Sequence, residues 1–260
     1  MNETMKLLQT LTNLPLVALV LARVGGLVIF VPFFSSVSIP AKSKIMLAFA
    51  ITIIVLPFVP VSGVSRVNDI GGLVVLMISE LMIGLGIGFI ITSVFSGLQL
   101  AGLMIGQQLG IALARVFDPL FNDQNSVLGQ FYFWLAMIIF LLINGHVILI
   151  KAMINSFQTL EPGRFVVSKD FISNLGEVLQ LSFAMAFQIS APVIVAILLT
   201  TLAMGFITRT VPQFNILSVG FSIRALIGFV LVVICLIPAI QVFLSGLDRG
   251  FSLLYRILGL

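Results

Sequence analysis

The stretch Ser96–Gln130, SGLQLAGLMIGQQLGIALARVFDPLFNDQNSVLGQ, opens as a helix and ends as something else. Gly102, Gly106 and Gly110 stand four apart, so a continuous helix stacks them on one face. Small residues at that spacing let a second backbone approach closely, which is how helices pack where lipid removes the usual hydrophobic drive. Beyond Gly110 the pattern changes. Leu113, Val116, Phe117, Leu120 and Phe121 are large and apolar, yet Arg115, Asp118 and Asp123 are threaded among them and Pro119 breaks the run. Non-helical backbone at membrane depth is tolerated only against protein or beside a water-filled cavity. The segment therefore reads as an internal loop in a pathway, a constriction or plug.

The rest of the chain supplies the apolar setting. Of 260 residues, 60% are hydrophobic and 8% charged, and the mean hydropathy is +1.26. Soluble domains carry about a quarter charged residues, so lipid or other apolar protein is the solvent for most of this surface. The formal net charge of +4 comes from 13 basic residues spread without a run, which gives nucleic-acid binding little support. Cys235 is the sole cysteine and lies in an apolar run, so an internal disulfide is impossible and a thiol metal site improbable. The amino terminus runs apolar through Arg23 to Phe34 without a small-x-small cleavage site, and reads as a retained first span.

Spanning about 30 Å of hydrocarbon takes roughly 20 apolar residues. Six runs qualify: Leu14–Phe34, Ile45–Val61, Gly71–Phe95, Val127–Ile150, Val178–Ile207 and Arg224–Leu247. They are continuous rather than alternating and too long for β spans. The fold class is therefore all-α, an integral membrane-type protein in one domain, residues 1–260. Basic residues in the connections are nearly balanced between the two sides, with a weak preference for cytoplasmic termini.

Charge inside the spans is expensive and faces a bundle interior or an aqueous path. Arg23 and Glu80 are the two such residues, and a pair between them would neutralise both. An ion-coupled secondary transporter could use them, but a proton relay needs several acidic or histidine groups in reach. A structural interhelical pair is the plainer reading. His146, the one histidine, sits in INGH and suits a hydrogen-bonded role at a helix end; it cannot alone supply a metal site. Gly84, Gly86 and Gly88 in GLGIG lie mid-span without a preceding strand or a phosphate-binding lysine, so helix packing explains them better than a nucleotide loop. Pro192 and Pro238 interrupt late spans and favour kinks. No nucleophile–base set, zinc-protease motif or Walker loop is present, which points away from an enzyme, and no cofactor or metal is expected.

Several segments together carry a family resemblance: VPFFSSVSIPAKSK, GLMIGQQLGIALARVFDP followed by VLGQFYFWLAMIIFLLINGH, and APVIVAILLTTLAMGFITRTVPQFNILSVGFSIR. From about Arg23 to Gly246 the chain resembles the FliR/SctT family of type III secretion export-gate proteins. The PQFN sequence, with Pro212, Gln213 and Asn215, is the most specific piece. The resemblance implies kinked helical hairpins, residues 1–177 FliP-like and residues 178–260 FliQ-like. It implies assembly with FliP and FliQ, with FlhB associated, into the gate through which unfolded flagellar proteins cross the bacterial inner membrane at the flagellar basal body. The family's plug loop falls on residues 106–122, so that Leu113, Val116, Phe117, Asp118, Pro119, Leu120 and Phe121 would occlude the closed pore.

Overall fold

A chain this apolar must pair its own backbone polar groups wherever water is excluded, and helices do so within one segment. The computed structural model describes residues 14–32, 40–60, 70–110, 126–162, 169–210 and 216–259, and the described regular structure is helical. In chain order the helices are α1 (Leu14–Phe30), α2 (Ala41–Val55), α3 (Ile70–Gln108), α4 (Val127–Leu142), α5 (Gly145–Thr159), α6 (Lys169–Thr210), α7 (Ile216–Ile234) and α8 (Leu236–Leu258). Threonines inside these apolar helices satisfy their own hydroxyls. Thr52 donates to the Ala48 carbonyl at 2.7 Å, and Thr200, Thr201 and Thr208 of α6 donate to carbonyls four residues back at 2.8 Å each.

Helix ends have identifiable causes. Pro40 precedes α2 in extended backbone, and Pro57 tightens its end into a 3-10 turn over Leu56–Phe58. The span expected over Val127–Ile150 is broken: α4 and α5 meet at a 69° bend. Asn144 sits there at φ 56°, a left-handed conformation that asparagine tolerates better than most residues. The last expected span, Arg224–Leu247, is likewise broken, with a bend of 52° between α7 and α8. Pro238 has no N–H to give the Ile234 carbonyl, and the helix yields at Cys235 between them. Pro192, by contrast, lies inside α6 without ending it.

Two other expected spans are longer than predicted. Gly71–Phe95 extends without interruption to Gln108, because Ser96 and Gly97 do not stop an otherwise favourable run. Val178–Ile207 extends over all of Lys169–Thr210. Among the described residues three helices can cross a membrane by length and composition, and up to five if each bent pair forms one span, against the six runs read from sequence.

The chain forms two compact units. Unit 1 contains residues 1–93, 140–178 and 249–260. In it α1 packs against α2, and the core joins Leu16, Leu19 and Val20 of α1 with Ile90 and Ile91 of α3 and Phe157 of α5. Unit 2 contains residues 94–139 and 179–248. Its core includes Leu98, Ala101 and Ile105 of α3, Tyr132 and Ala136 of α4, and Val193 and Ile197 of α6. There Phe95 meets Phe243 edge-on at 5.5 Å and Phe133 at 6.2 Å, the offset geometry aromatic pairs prefer.

Candidate functional site: a buried arginine joint and a glycine-packed helix contact

Within unit 1, α1 and α3 cross where neither carries side-chain bulk. A Cβ placed on Gly84 would come within 1.9 Å of the Arg23 carbonyl oxygen, so only glycine admits this approach. The crossing brings Arg23 and Glu80 level with one another, both fully buried. Arg23 Nε donates to Glu80 Oε2 at 2.6 Å.

The guanidinium does more than pair one carboxylate. Nη1 donates to the Ser156 carbonyl at 2.9 Å and to Ser156 Oγ at 3.0 Å, and Nη2 donates to the Leu160 carbonyl at 3.0 Å. Its carbon lies 4.0 Å from the centroid of the Phe157 ring. Ser156 and Leu160 belong to the last turn and C-cap of α5, where carbonyls lack helical partners and the helix dipole favours a cation. Arg23 thus caps α5 while neutralising a carboxylate on α3. Planar geometry and a fork of donors suit arginine to this task, and lysine could not reproduce it. The arrangement can hold three helices in register. As a proton path it offers little, since Glu80 carries no solvent-exposed surface.

In unit 2, the helix face expected from Gly102 and Gly106 meets the start of α4. A Cβ on Gly102 would lie 2.5 Å from the Leu128 carbonyl oxygen, and one on Gly106 would lie 2.9 Å from Ser126 Oγ. Gly110 departs from the helical stack expected of it: α3 ends at Gln108, and Gly110 adopts φ 76°, the left-handed conformation with which helices commonly finish. The closeness of Gly106 to Ser126 sets the residue that precedes α4 against the last turn of α3. Leu113, Val116, Phe117, Asp118, Pro119, Leu120 and Phe121 lie outside the described residues, as do Pro212, Gln213 and Asn215.

Among the described residues no group of three His, Cys, Asp or Glu side chains could hold a metal. His146 lies at the start of α5, and its Nδ1 is buried without a partner among the described residues; the Tyr132 hydroxyl is in the same position. Sequence reasoning missed Ser156, Phe157 and the Leu160 carbonyl. Backbone carbonyls carry no mark in a sequence, and Ser156 in INSFQT looks like an ordinary polar helix residue.

Long apolar helices, bent pairs and a buried interhelical ion cluster define an all-α protein of the membrane-spanning type. Residues 14–250 match the family model of the bacterial export proteins, family 1, and the chain belongs to that family. It is similar to the flagellar biosynthetic protein FliR of Escherichia coli (strain K12), with 30% identity over 92% of this chain and 89% of that one. The FliR of Pectobacterium carotovorum subsp. carotovorum is 32% identical over 91% and 90% of the two chains. That of Bacillus subtilis (strain 168) is 28% identical over 85% and 86%.

Proposed function

We propose that this chain is a non-enzymatic subunit of a flagellar type III export gate in the bacterial inner membrane. It assembles with FliP and FliQ, with FlhB alongside, and the gate passes unfolded flagellar proteins. The observation that carries the reading is the length of α6. Its apolar part, Ser173–Thr210, has 38 residues, and 11% of its most apolar window is buried inside this chain. At 1.5 Å per residue it extends about 57 Å, nearly twice the roughly 30 Å of bilayer hydrocarbon. Tilting by about 40°, the upper end of the usual range, still leaves a rise of about 44 Å. Exposed Phe183, Phe187, Leu198, Leu199, Leu202 and Phe206 therefore need protein as well as lipid to cover them. Small hydrophobic partner subunits supply such cover, which supports assembly with FliP and FliQ. The division into a FliP-like residues 1–177 and a FliQ-like residues 178–260 belongs to the same proposal.

Residues 106–122 act in this reading as the plug. Support comes from the paired ends at Gly106 and Ser126, which tether both sides of the intervening segment to one place, and from its large apolar residues. Such residues close a pore by steric block and dewetting. Replacing Phe117 and Phe121 by glycine in the assembled gate should raise the leak of small ions across the membrane. Unchanged permeability with intact assembly would remove the plug assignment.

The rival reading, an ion-coupled transporter working through Arg23 and Glu80, draws no support from a pair that is fully buried and held by α5 carbonyls. It predicts saturable uptake by the isolated protein in liposomes, abolished by Glu80→Gln.

A further inference from the structure

Two contacts set the register of α3 against α7 and α8 within unit 2. Phe95 meets Phe243 edge-on at 5.5 Å, and at the far end of α3 a Cβ on Gly228 would run into the Leu109 side chain. The helices therefore run antiparallel there, and Gly102, midway between Phe95 and Leu109, comes level with Cys235, where α7 gives way to α8. Tyr132 of α4 crosses α3 at that same glycine. A Cβ on Gly102 would lie 2.7 Å from Tyr132 Cδ2, so the ring rests on bare backbone. Tyr132 is fully buried, and its hydroxyl has no hydrogen-bond partner among the described residues. Cys235 lies within electrostatic reach of that hydroxyl without bonding to it. The break supplies a further polar group at this level. The Leu231 carbonyl accepts from the Cys235 N–H at 2.8 Å and the Cys235 carbonyl from the Ala239 N–H at 3.0 Å, whereas Pro238 has no N–H to give the Ile234 carbonyl.

We infer, independently of the export-gate reading, that this level of unit 2 is a water site: one buried water bridges the Tyr132 hydroxyl to the Ile234 carbonyl, with the Cys235 thiol on its wall. A hydroxyl that leaves bulk solvent must find a partner or forfeit the bonds it made there. The thiol is a weak donor and a weak acceptor, and it does not bond Tyr132 directly. Buried waters occupy places where two to four polar groups converge. Hydroxyl, carbonyl and thiol make up such a set. The water donates to the carbonyl and accepts from the hydroxyl, so one molecule satisfies both ends. Breaks at proline are also where water enters a helix ladder. Phenylalanine stands on either side of Tyr132, at 131 and 133, and only the hydroxyl sets the tyrosine apart from them. The bridge ties the 52° bend between α7 and α8 to α4.

The test is the sign of Tyr132→Phe, read as the unfolding temperature of the chain purified with whatever subunits it carries, with and without Pro238→Ala. Removing a bridged hydroxyl should lower that temperature by a few degrees. In the Pro238→Ala chain the new N–H takes up the Ile234 carbonyl and the bridge loses its far end. Tyr132→Phe should then leave the unfolding temperature unchanged or raise it. A rise in both backgrounds would mean a hydroxyl with no partner at all, and an equal fall in both would mean a direct bond to a protein group. Either result overturns the water site. A density map of the same protein, fine enough to show ordered water, gives an answer that needs no substitution. It should hold a peak about 2.7–2.8 Å from Tyr132 Oη and within hydrogen-bond distance of the Ile234 oxygen. A side chain at that place, or well-defined groups with no peak between them, overturns the site and leaves the export-gate reading untouched.

Discussion

Arg23 and Glu80, 57 residues apart in the chain, meet at 2.6 Å where no solvent reaches either side chain. The cost of desolvating two charges is offset here by further bonds: the guanidinium also satisfies two carbonyls and a hydroxyl at the end of α5. The pair is consequently a joint among three helices, and its stability contribution depends on all of its members being present.

Removing one partner should therefore be far worse than removing both. Glu80→Leu or Arg23→Met alone leaves a buried charge or orphaned carbonyls and should cost about 3–5 kcal/mol. The double variant Arg23→Met/Glu80→Leu should recover part of that loss. Thermal unfolding in detergent measures it; equal, additive losses would mean the two side chains act independently.

Ser156 offers a gentler probe of the same joint. Ser156→Ala removes the Oγ acceptor at 3.0 Å but keeps the carbonyl at 2.9 Å. The expected loss is about 1 kcal/mol. Arg23→Lys, which cannot span Glu80, Ser156 and Leu160 together, should cost more than Ser156→Ala in the same unfolding measurement.

Adjacent glycines in α1 should respond in opposite ways. A Cβ at Gly25 has nothing within 4 Å, whereas one at Gly26 would lie 2.6 Å from the Leu81 carbonyl oxygen and 2.8 Å from the Leu85 nitrogen. Gly25→Ala should be neutral or stabilising by up to about 1 kcal/mol through helix propensity. Gly26→Ala should destabilise by about 1–3 kcal/mol, because backbone rather than a flexible side chain must move. Unfolding temperatures of the two variants decide the matter.

The 52° bend between α7 and α8 should depend on Pro238. Pro238→Ala restores an N–H that can reach the Ile234 carbonyl, so the α7–α8 junction should straighten. Spin labels at exposed Leu226 and Leu244, measured by pulsed electron resonance, should move apart by several ångströms. An unchanged distance would place the cause of the bend in the surrounding packing.

Several of these features were open to reading in the sequence, and the physical reasons for success and failure are separable. Arg23 and Glu80 stand out because charge inside apolar runs is costly, but nothing local tells them apart from two unrelated buried charges. Their meeting depends on the α1–α3 crossing at Gly84, and the α5 carbonyls that complete the joint carry no sequence signal. All-α architecture follows from continuous apolar runs, whereas span boundaries do not. Asn144 breaks a run that stays hydrophobic on both sides, and Ser96–Gly97 fails to break one that turns more polar. Gly110 shares its spacing with Gly102 and Gly106 yet lies past the helix end, since four-residue spacing cannot say where a helix stops. The proposed plug role of Leu113 through Phe121 rests on the broken apolar pattern, the family likeness and the packing of α3 against Ser126.

The central claim, that apolar surface too long for a bilayer is covered by other gate subunits, is tested most directly by native mass spectrometry of the protein purified in mild detergent from its own cells. The account predicts one large assembly holding this chain with several copies of two smaller hydrophobic proteins. A folded chain recovered alone, or as a simple dimer, would contradict it.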